Sequence, residues 1–380
     1  MTPRAGAARL RPARLALEDG TVVHGTAVGA AGEAAGELCF NTSMSGYQEI
    51  LTDPSYAGQL MMMTTPHVGN YGAFEAATEA DRPHVAGLVV RAFARNPSNA
   101  AMEETLDAYM VRHGLVGITG VDTRRLVRHV REAGVMNAVV STGDPGSGQG
   151  QAVDDAGLVA AARAHPSMAG LELASRVTTA EAYDVSASGS RRVAVVDYGV
   201  KRHILRRFAG LGCAVRVFPA ATPLADLLAW GPDGLFFSNG PGDPRAMPDA
   251  VATVRGAVAS GVPLFGICLG HQLMALAEGL PVDKMKVGHR GANQPVIHDA
   301  TGRVEITTQN HGFAVRESGV DPAVAAVSHR NLNDGSVEGL RFHRFAGLSV
   351  QYHPEACPGP HDSRYLFDTF LALIAETHRG

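Results

Sequence analysis

Residues 263–272 read Pro263-Leu264-Phe265-Gly266-Ile267-Cys268-Leu269-Gly270-His271-Gln272, and this stretch decides the fold of the second half of the chain. An apolar run of strand type enters a tight turn at Cys268, and a run of helical spacing leaves it. Glycines two residues either side leave room for the strand and the helix to pack at so sharp a turn. The N-terminal end of a helix also favours a thiolate over a thiol. The stretch therefore predicts a nucleophilic Cys268, whereas Cys39, Cys213 and Cys357 lack such a context and are interpreted as inert core.

Apolar runs of strand type alternate with helical segments around this stretch. A strand buried on both faces shows no polar alternation, so such runs indicate a parallel sheet covered by helices on both sides. The sequence therefore predicts a doubly wound, mostly parallel α/β domain in the second half, with an antiparallel addition before a closing helix. The predicted strands are 193–196, 214–218, 234–237, 262–267, 303–308, 324–329, 337–342 and 348–352, and the predicted helices are 200–209, 246–259, 269–278 and 361–376.

The first half has a different pattern, which predicts a mixed α/β domain. Two short apolar runs, 15–17 and 21–24, flank Glu18-Asp19-Gly20, which is a hairpin signal. Further strands are predicted at 60–64, 85–90 and 136–140, and helices at 102–113 and 122–133, with Asp122 as the cap of the second helix. A loop is predicted at 143–151 and a Ser/Gly-rich linker at 178–192. We therefore place the boundary near residue 190, which gives a first domain over 1–190, linker included, and a second over 191–380.

The composition excludes several classes of protein. Hydrophobic residues make up 45% and charged residues 18% of the 380-residue chain, which is typical of folded domains rather than of disorder. The net charge of -4 lacks the basic excess of a nucleic-acid binder. The four cysteines are too few and too scattered for a disulfide scaffold, and no CxxC pair offers a zinc site. We therefore expect a cytoplasmic protein with no metal site and no nucleic-acid partner.

Two segments bear on membrane insertion and targeting. The stretch between Arg255 and Glu278 has no formal charge, but Pro263 and four glycines break it into helix end, strand, turn and new helix. The first seventeen residues contain four arginines and no acidic residue, yet no apolar run of signal type follows them. We therefore expect no membrane association, and we interpret the N-terminus as a frayed extension.

His353 and Glu355 form the predicted acid–base pair for the cysteine. They follow the strand-like run 348–352, and residues two apart in an extended segment face the same side, about 6.5 to 7 Å between Cα atoms. The carboxylate can therefore reach the imidazole, and Pro354 stiffens the segment. In such a triad His353 would activate Cys268 and later protonate the leaving amine, while Glu355 orients the imidazole.

A third element, Ser238-Asn239-Gly240-Pro241-Gly242-Asp243-Pro244, follows the strand-like run 234–237. Strand carboxyl ends surround the ligand crevice in sheets of this kind, so this turn is expected beside Cys268. The N–H groups of Gly242 and Leu269 are predicted to hold the oxyanion of a tetrahedral intermediate. The turn lacks the Lys-Ser/Thr of a phosphate loop, so it does not predict ATP binding.

These elements together resemble the class I (triad-type) glutamine amidotransferases, and the first half narrows the resemblance. Two runs look like the N-terminal domain of carbamoyl-phosphate synthetase small subunits: Phe40-Asn41-Thr42-Ser43-Met44-Ser45-Gly46-Tyr47-Gln48-Glu49-Ile50-Leu51-Thr52-Asp53-Pro54-Ser55-Tyr56 and Pro66-His67-Val68-Gly69-Asn70. Two later runs are also similar: Gln309-Asn310-His311-Gly312-Phe313-Ala314-Val315 and His353-Pro354-Glu355-Ala356-Cys357-Pro358-Gly359-Pro360-His361-Asp362. The resemblance covers nearly the whole chain, from about Leu15 to Ala375.

The resemblance implies that Cys268, His353 and Glu355 hydrolyse the side-chain amide of L-glutamine through a thioester. The ammonia would pass to an ATP-using large subunit that makes carbamoyl phosphate from bicarbonate, for arginine or pyrimidine biosynthesis. The partner would thus be that large subunit, in a heterodimer or a higher-order assembly, with the first domain as the docking module. No cofactor is expected in this chain, because ATP and Mg²⁺ would bind the large subunit. Carried over position by position, the glutamine contacts are Ser55, Gly240, Gly242, Leu269, Gln272, Asn310, Gly312 and Phe313.

Other interpretations are open at this point. Ser55 also fits a turn after Asp53-Pro54, and Asn310 and Gly312 also fit a strand-end turn. The whole chain would also fit another class I amidotransferase, a free-standing cysteine hydrolase, or a non-catalytic regulatory module that retains the fold. The motif in the first half of the chain disfavours another amidotransferase and a free-standing hydrolase, because neither explains the extra domain. The intact triad disfavours a non-catalytic module.

Overall fold

The computed structural model describes residues 11–142 and 154–378, and its contacts sort the chain into two interleaved units. Unit 1 comprises Met1–Phe40, Gln59–Ala76 and Ala86–Pro166, and unit 2 comprises Asn41–Gly58, Ala77–Val85 and Ser167–Gly380. The boundary near residue 190 divides the chain by sequence order and stays a prediction. The predicted loop at 143–151 lies outside the described residues, as do residues 1–10 of the predicted extension.

Unit 1 is built on a closed barrel of short strands. Its strands are β1 (Pro12–Leu17), β2 (Val22–Gly29), β3 (Glu33–Asn41), β4 (Gln59–Met63), β5 (His67–Val68), β6 (Gly87–Val89), β7 (Ala92–Phe93), β8 (Val116–Thr119) and β9 (Met136–Ser141). Seven of them close in the order β1-β2-β8-β6-β4-β3-β9, while β5 and β7 form a separate parallel pair. The barrel is mixed, because β4-β6 and β6-β8 pair in parallel and β1-β2, β2-β8, β1-β9 and β3-β9 pair antiparallel.

The helices of the first half confirm the predicted mixed α/β character. Helix α1 (Tyr47–Thr52) belongs to unit 2, and α2 (Leu106–Arg112), α3 (Thr123–Ala133) and α4 (Asp155–Ala164) belong to unit 1. The Asp122 carboxylate accepts the Arg125 N–H at 3.0 Å, so the predicted cap is confirmed. Leu158 of α4 packs with Ala16 and Val139 of the barrel, which buries one side of that helix.

Unit 2 contains a ten-stranded sheet with a parallel centre. Its strands are β10 (Tyr183–Ser186), β11 (Arg191–Asp197), β12 (Cys213–Pro219), β13 (Gly234–Phe237), β14 (Leu264–Ile267), β15 (Val282–His298), β16 (Val304–Val315), β17 (Ala325–Asn331), β18 (Val337–Phe342) and β19 (Gly347–Val350). They follow the order β10-β12-β11-β13-β14-β19-β18-β17-β15-β16. The run β12-β11-β13-β14-β19 is parallel, and the strands on either side of it pair antiparallel.

Helices cover both faces of this sheet, as predicted for a doubly wound domain. They are α5 (Arg202–Gly210), α6 (Leu224–Ala229), α7 (Pro248–Ser260), α8 (Leu269–Ala277) and α9 (Tyr365–Thr377). Alternate residues of β11 serve the two faces: Val195 lies in the cluster with Phe208 of α5 and Phe370 of α9, and Val196 lies in the cluster with Val254 of α7 and Leu273 of α8. The sheet is therefore buried on both sides by apolar side chains.

Several segments differ from the sequence-based expectation, and strands β3 and β8 and helices α4 and α6 are among those that were not predicted. Residues Tyr183–Ser186, inside the stretch assigned to a linker, form the edge strand β10. Residues Pro12–Leu17, inside the expected frayed extension, form β1 because they pair with strands on both sides. The long strand β15 was not predicted, because charged residues and Pro295 interrupt its apolar pattern and its register shifts twice. No helix among the described residues combines the length and the apolar character needed to span a bilayer.

Candidate active site

Cys268 lies at the turn between strand β14 and helix α8. Its backbone has φ 53° and ψ -102°, a conformation that residues with a side chain rarely adopt. Its N–H donates to Val350 O at 2.9 Å, which ties the turn to the end of strand β19. The side chain is buried at the carboxyl ends of the parallel strands. The fold therefore holds the sulfur at the edge where open α/β sheets bind their ligands.

The two glycines that bracket Cys268 are required by close contacts. A Cβ atom on Gly270 would lie 2.0 Å from Phe237 O of strand β13. One on Gly266 would lie 2.7 Å from both the Gly270 carbonyl carbon and Met274 Sδ. Side chains at these positions would push the helix away from the sheet, so the predicted steric reason for the glycines is confirmed.

The imidazole of His353 and the carboxylate of Glu355 are in contact, as the spacing predicted. His353 Nδ1 lies 2.6 Å from Glu355 Oε1, and neither side chain reaches solvent. The backbone differs from the expected extended segment. His353 bridges to Thr308, and Ala356 N–H donates to His353 O at 3.1 Å, so the chain turns after the histidine. The contact is therefore made across a turn rather than along a strand.

Lys201 is a third buried charge at this site, and the sequence did not single it out. Its Nζ donates to Glu355 Oε1 at 2.8 Å. Burial alone would lower the pKa of Lys201, but the carboxylates of Glu355, Glu79 and Asp53 raise it instead. Burial alone would raise the pKa of Glu355, but Lys201 and His353 hold it well below its usual range. The pair is therefore ionised although it is inside the protein.

Asn310 contacts both the nucleophile and the histidine. Its Oδ1 lies 2.5 Å from His353 Nε2 and 3.9 Å from Cys268 Sγ, while its Nδ2 donates to the carboxylate of Asp53. The Asp53 contact fixes which end of the amide is the oxygen, because a carboxylate only accepts. Both ring nitrogens of His353 then face acceptors, Glu355 Oε1 and Asn310 Oδ1, so both carry a proton.

The His353 pKa agrees with that proton count. Burial alone would lower it, but the Glu355 carboxylate overrides burial, with a further contribution from the side chain of Cys268, and the pKa rises to about 10. His353 is therefore an imidazolium near neutral pH, as a partner that stabilises a thiolate must be.

The structure brings several of the predicted glutamine contacts together. Gln272 Nε2 donates to Phe313 O and to Gln351 Oε1, both at 3.0 Å, which joins helix α8 to strand β16. A Cβ on Gly240 would lie 2.9 Å from Leu269 Cδ2, so the 238–244 turn lies against the start of α8, as predicted. Gly242 has φ 96°, and Gly312 lies beside Phe313 on strand β16.

Ser55 is connected to the nucleophile through other polar residues. Its hydroxyl accepts from Asn239 Nδ2 at 2.8 Å, and its N–H donates to Asp53 Oδ1 at 2.9 Å. Asp53 in turn accepts from Asn310. A chain of buried polar groups therefore connects Ser55 to the cysteine.

Three of these groups, Lys201, Asp53 and Asn239, were missed as functional candidates by sequence reasoning. Lys201 follows the end of strand β11, and Asn239 follows the end of β13, so both lie at the carboxyl edge of the sheet. Polar residues just after such strands were the available signal. Asp53 gave none, because it joins the site through an unpredicted contact with Asn310, 257 residues away.

Two groups of side chains among the described residues have metal-ligand chemistry. They are Glu79, His203 and Cys357, and His289, His311 and Glu338. In the first group the Lys201 ammonium interacts with both Glu79 and His203 and supplies positive charge. Of the other cysteines, Cys39 and Cys213 are buried and Cys357 is partly buried, and none of the three forms a disulfide among the described residues.

Known proteins match this chain over most of its length. The family model for the carbamoyl-phosphate synthase small chain, CPSase domain, matches residues 15–140, and that for class I glutamine amidotransferases matches residues 194–373. The carbamoyl phosphate synthase small chain of Syntrophotalea carbinolica is 48% identical over 380 residues, covering 96% of this chain and 98% of that protein. The small chain of Chlorobaculum tepidum is 48% identical over 366 residues, covering 96% and 98%, and that of a Synechococcus species is 46% identical over 382 residues, covering 97% and 95%.

Proposed function

The chain belongs to the carbamoyl-phosphate synthase small-chain family, a glutamine-hydrolysing subunit, and from this premise we propose how its residues act. Cys268 is the nucleophile that attacks the side-chain amide of L-glutamine. His353 is the acid and base, and Glu355 orients and charges the imidazole. One observation carries this assignment: a buried imidazole beside Cys268, with acceptors at both ring nitrogens, is held as an imidazolium.

The first half of the reaction releases ammonia. The Cys268 thiolate forms a bond to the amide carbon, and the carbonyl electron pair moves onto oxygen. His353 Nε2 then gives its proton to the amide nitrogen as the C–N bond breaks, and the carbonyl re-forms as a thioester. Nitrogen leaves as neutral ammonia, and His353 is left as the neutral base.

The second half hydrolyses the thioester and restores the resting proton arrangement. His353 Nε2 takes a proton from water as the water oxygen attacks the thioester carbon. The C–S bond breaks, the new γ-carboxyl group loses its proton to solvent as L-glutamate leaves, and Cys268 returns to the thiolate beside an imidazolium. Glu355 stays ionised throughout, because Lys201 and His353 both donate to it.

The oxyanion of both tetrahedral intermediates is assigned to the N–H groups of Leu269 and Gly242. Leu269 is the first residue of α8, where N–H groups have no helical partner. The neighbouring N–H groups are engaged, since Cys268 donates to Val350 O and Gly270 to Ser238 O. The start of the helix therefore offers the Leu269 N–H to a developing negative charge.

We assign to the Asn310 side chain the position that the substrate amide takes when glutamine binds. Its side chain is a primary carboxamide, like that of glutamine, and its oxygen accepts from the Nε2 that must protonate the leaving nitrogen. Bound glutamine must take over that contact, so Asn310 turns away or shares the proton when substrate binds. The remaining contacts are assigned to Ser55, Gly240, Gln272, Gly312 and Phe313, which offer backbone groups, one hydroxyl, one amide and one ring.

A larger partner subunit is assigned the rest of the synthesis. The small-chain name of the relatives implies a second chain. Ammonia released into water near neutral pH would be protonated and lost as a nucleophile, so the partner must receive it shielded from solvent. We assign ATP, Mg²⁺ and bicarbonate to that large subunit and no cofactor to this chain. We propose that the 1–190 segment docks to the large subunit. The complex would be a heterodimer or an assembly of such pairs, located in the cytoplasm.

A glutamine analogue with a thiol-reactive group in place of the amide tests the nucleophile. The analogue should label Cys268, and excess glutamine should protect it, because the label needs both the thiolate and the substrate site. Peptide mapping reads the position. Labelling of Cys39, Cys213 or Cys357 at the expense of Cys268 would overturn the assignment.

A further inference from the structure

His289, His311 and Glu338 form a buried cluster on the antiparallel strands of the unit 2 sheet. They lie on β15, β16 and β18, and one ligand atom of each is within 4.8 Å of the others. Glu338 Oε1 is 3.3 Å from His289 Nδ1 and 3.7 Å from His311 Nε2. The reaction proposed above uses none of the three side chains. They are brought together only by the fold, since 49 residues separate His289 from Glu338.

Each imidazole is oriented by an acceptor on its far side. His289 Nε2 donates to Asp334 Oδ2 at 2.9 Å, and His311 Nδ1 donates to Phe313 O at 2.8 Å. The acceptor on the far side fixes the orientation of each ring, so the other ring nitrogen faces Glu338 Oε1. His289 Nδ1 also lies 3.3 Å from Asn331 Nδ2, and His311 Nε2 lies 3.3 Å from Gln309 Oε1. Metal-binding histidines have this arrangement, with a carboxylate or a carbonyl behind the ring.

The cluster contains buried polar atoms that the described part of the chain does not satisfy. Glu338 is fully buried, yet its Oε2 has no hydrogen-bond partner there. His271 is also fully buried, interacts electrostatically with Glu338 and His311, and has an unpartnered Nε2. Unsatisfied polar atoms inside a protein are costly and rare. Together they indicate a group with positive charge that completes the cluster.

We propose that His289 Nδ1, His311 Nε2 and the Glu338 carboxylate bind a divalent transition-metal cation of the Zn²⁺ class. Two imidazoles and a carboxylate are common ligands of this ion, at about 2.0 to 2.2 Å. A tetrahedron with bonds of that length separates its ligand atoms by about 3.3 to 3.6 Å. The distances of 3.3 and 3.7 Å fit that geometry with little movement. Sequence spacing gave no such signal, because the ligands come from three separate strands.

The test uses the full chain, stripped with a chelator and titrated with Zn²⁺ by calorimetry and with Co²⁺ by visible absorption. The wild type should bind one equivalent and give the absorption of four-coordinate Co²⁺. His289→Ala should lose stoichiometric binding. Asp334→Asn, at an exposed carboxylate behind the ring, should weaken binding about 10- to 100-fold and leave the fold intact.

Two matched variants separate this cluster from other candidate ligands. Cys357→Ser removes the thiol of the other metal-type group, and His378→Ala removes an exposed histidine. Both should bind Zn²⁺ like the wild type. The proposal is overturned if the wild type binds no equivalent, if Asp334→Asn binds as tightly as the wild type, or if Cys357→Ser is the variant that loses the metal.

Discussion

Lys201 Nζ donates a hydrogen bond of 2.8 Å to Glu355 Oε1, and both side chains are shielded from solvent. The same oxygen accepts from His353 Nδ1, so one carboxylate oxygen serves two cations. The Lys201 cation shares this carboxylate with His353, and its positive charge lowers the His353 pKa. The lysine is therefore a structural counter-ion of the triad, and it limits how far the pKa of His353 is raised.

Replacement of Lys201 should destabilise the protein. Lys201→Met leaves the buried Glu355 and Glu79 carboxylates short of one cation, and breaking a buried ion pair from one side costs about 3 to 5 kcal/mol. Chemical denaturation measures the change. Arg316→Met, which removes the exposed ion pair with Asp283, is the matched control and should be close to the wild type. A Lys201→Met protein as stable as that control would contradict the structural role.

The two partners of the nucleophile should differ in how much activity they carry. His353→Asn should abolish glutamine hydrolysis as fully as loss of the nucleophile, because the histidine moves every proton. Glu355→Gln should retain more, by about one to two orders of magnitude in kcat, because an orienting carboxylate is partly replaceable. Steady-state ammonia release gives both values. Equal losses in the two variants would mean that Glu355 does more than orient and charge the imidazole.

The pH profile should report the proton on His353. Its pKa is raised to about 10, so the active imidazolium is present below that pH and is lost as the pH rises through it. Glu355→Gln removes the carboxylate that opposes burial, so the basic limb of kcat/KM should move toward neutral pH. The α-amino group of glutamine titrates equally for both enzymes and cancels in the comparison. An unmoved basic limb in Glu355→Gln would contradict the assigned charge.

The turn at the nucleophile should not tolerate a methyl group. Gly270→Ala would place Cβ 2.0 Å from Phe237 O, and relieving that clash costs about 3 kcal/mol or more. Gly210→Ala is the matched control, because a Cβ there meets no atom within 4 Å and the residue also lies in a helix. Thermal unfolding should separate the two variants. Equal stability would show that the Cys268 turn has more room than the contacts indicate.

The parts of the site predicted from sequence are those set by local spacing. The turn around Cys268 is specified by glycines within four residues of one another, and His353 and Glu355 are two positions apart. The doubly wound sheet was predictable for the same reason, since each buried strand is a continuous apolar run. Such local patterns predict structure well because they depend only on residues that are close together in sequence.

The missed parts depend on long-range contacts. Lys201 is buried beside carboxylates that are distant in sequence, among them Glu355, which lies 154 residues later. The barrel of unit 1 depends on parallel strand pairings such as that of β4 with β6, which no hairpin signal in the sequence predicts. Strand β15 is hidden by bulges and by charges that the antiparallel sheet partly exposes. These features can be recognised only in the folded structure, where the paired strands and the contacting side chains lie together.

The central claim is that this chain supplies ammonia through Cys268. It is tested most directly by reconstituting Cys268→Ser with the ATP-using large subunit and measuring carbamoyl phosphate from each nitrogen source. We expect synthesis from added ammonia to match the wild-type complex, and synthesis from glutamine to fall at least about a thousand-fold, because a serine hydroxyl does not supply the thiolate. Equal loss with both nitrogen sources, or undiminished synthesis from glutamine, would contradict the account.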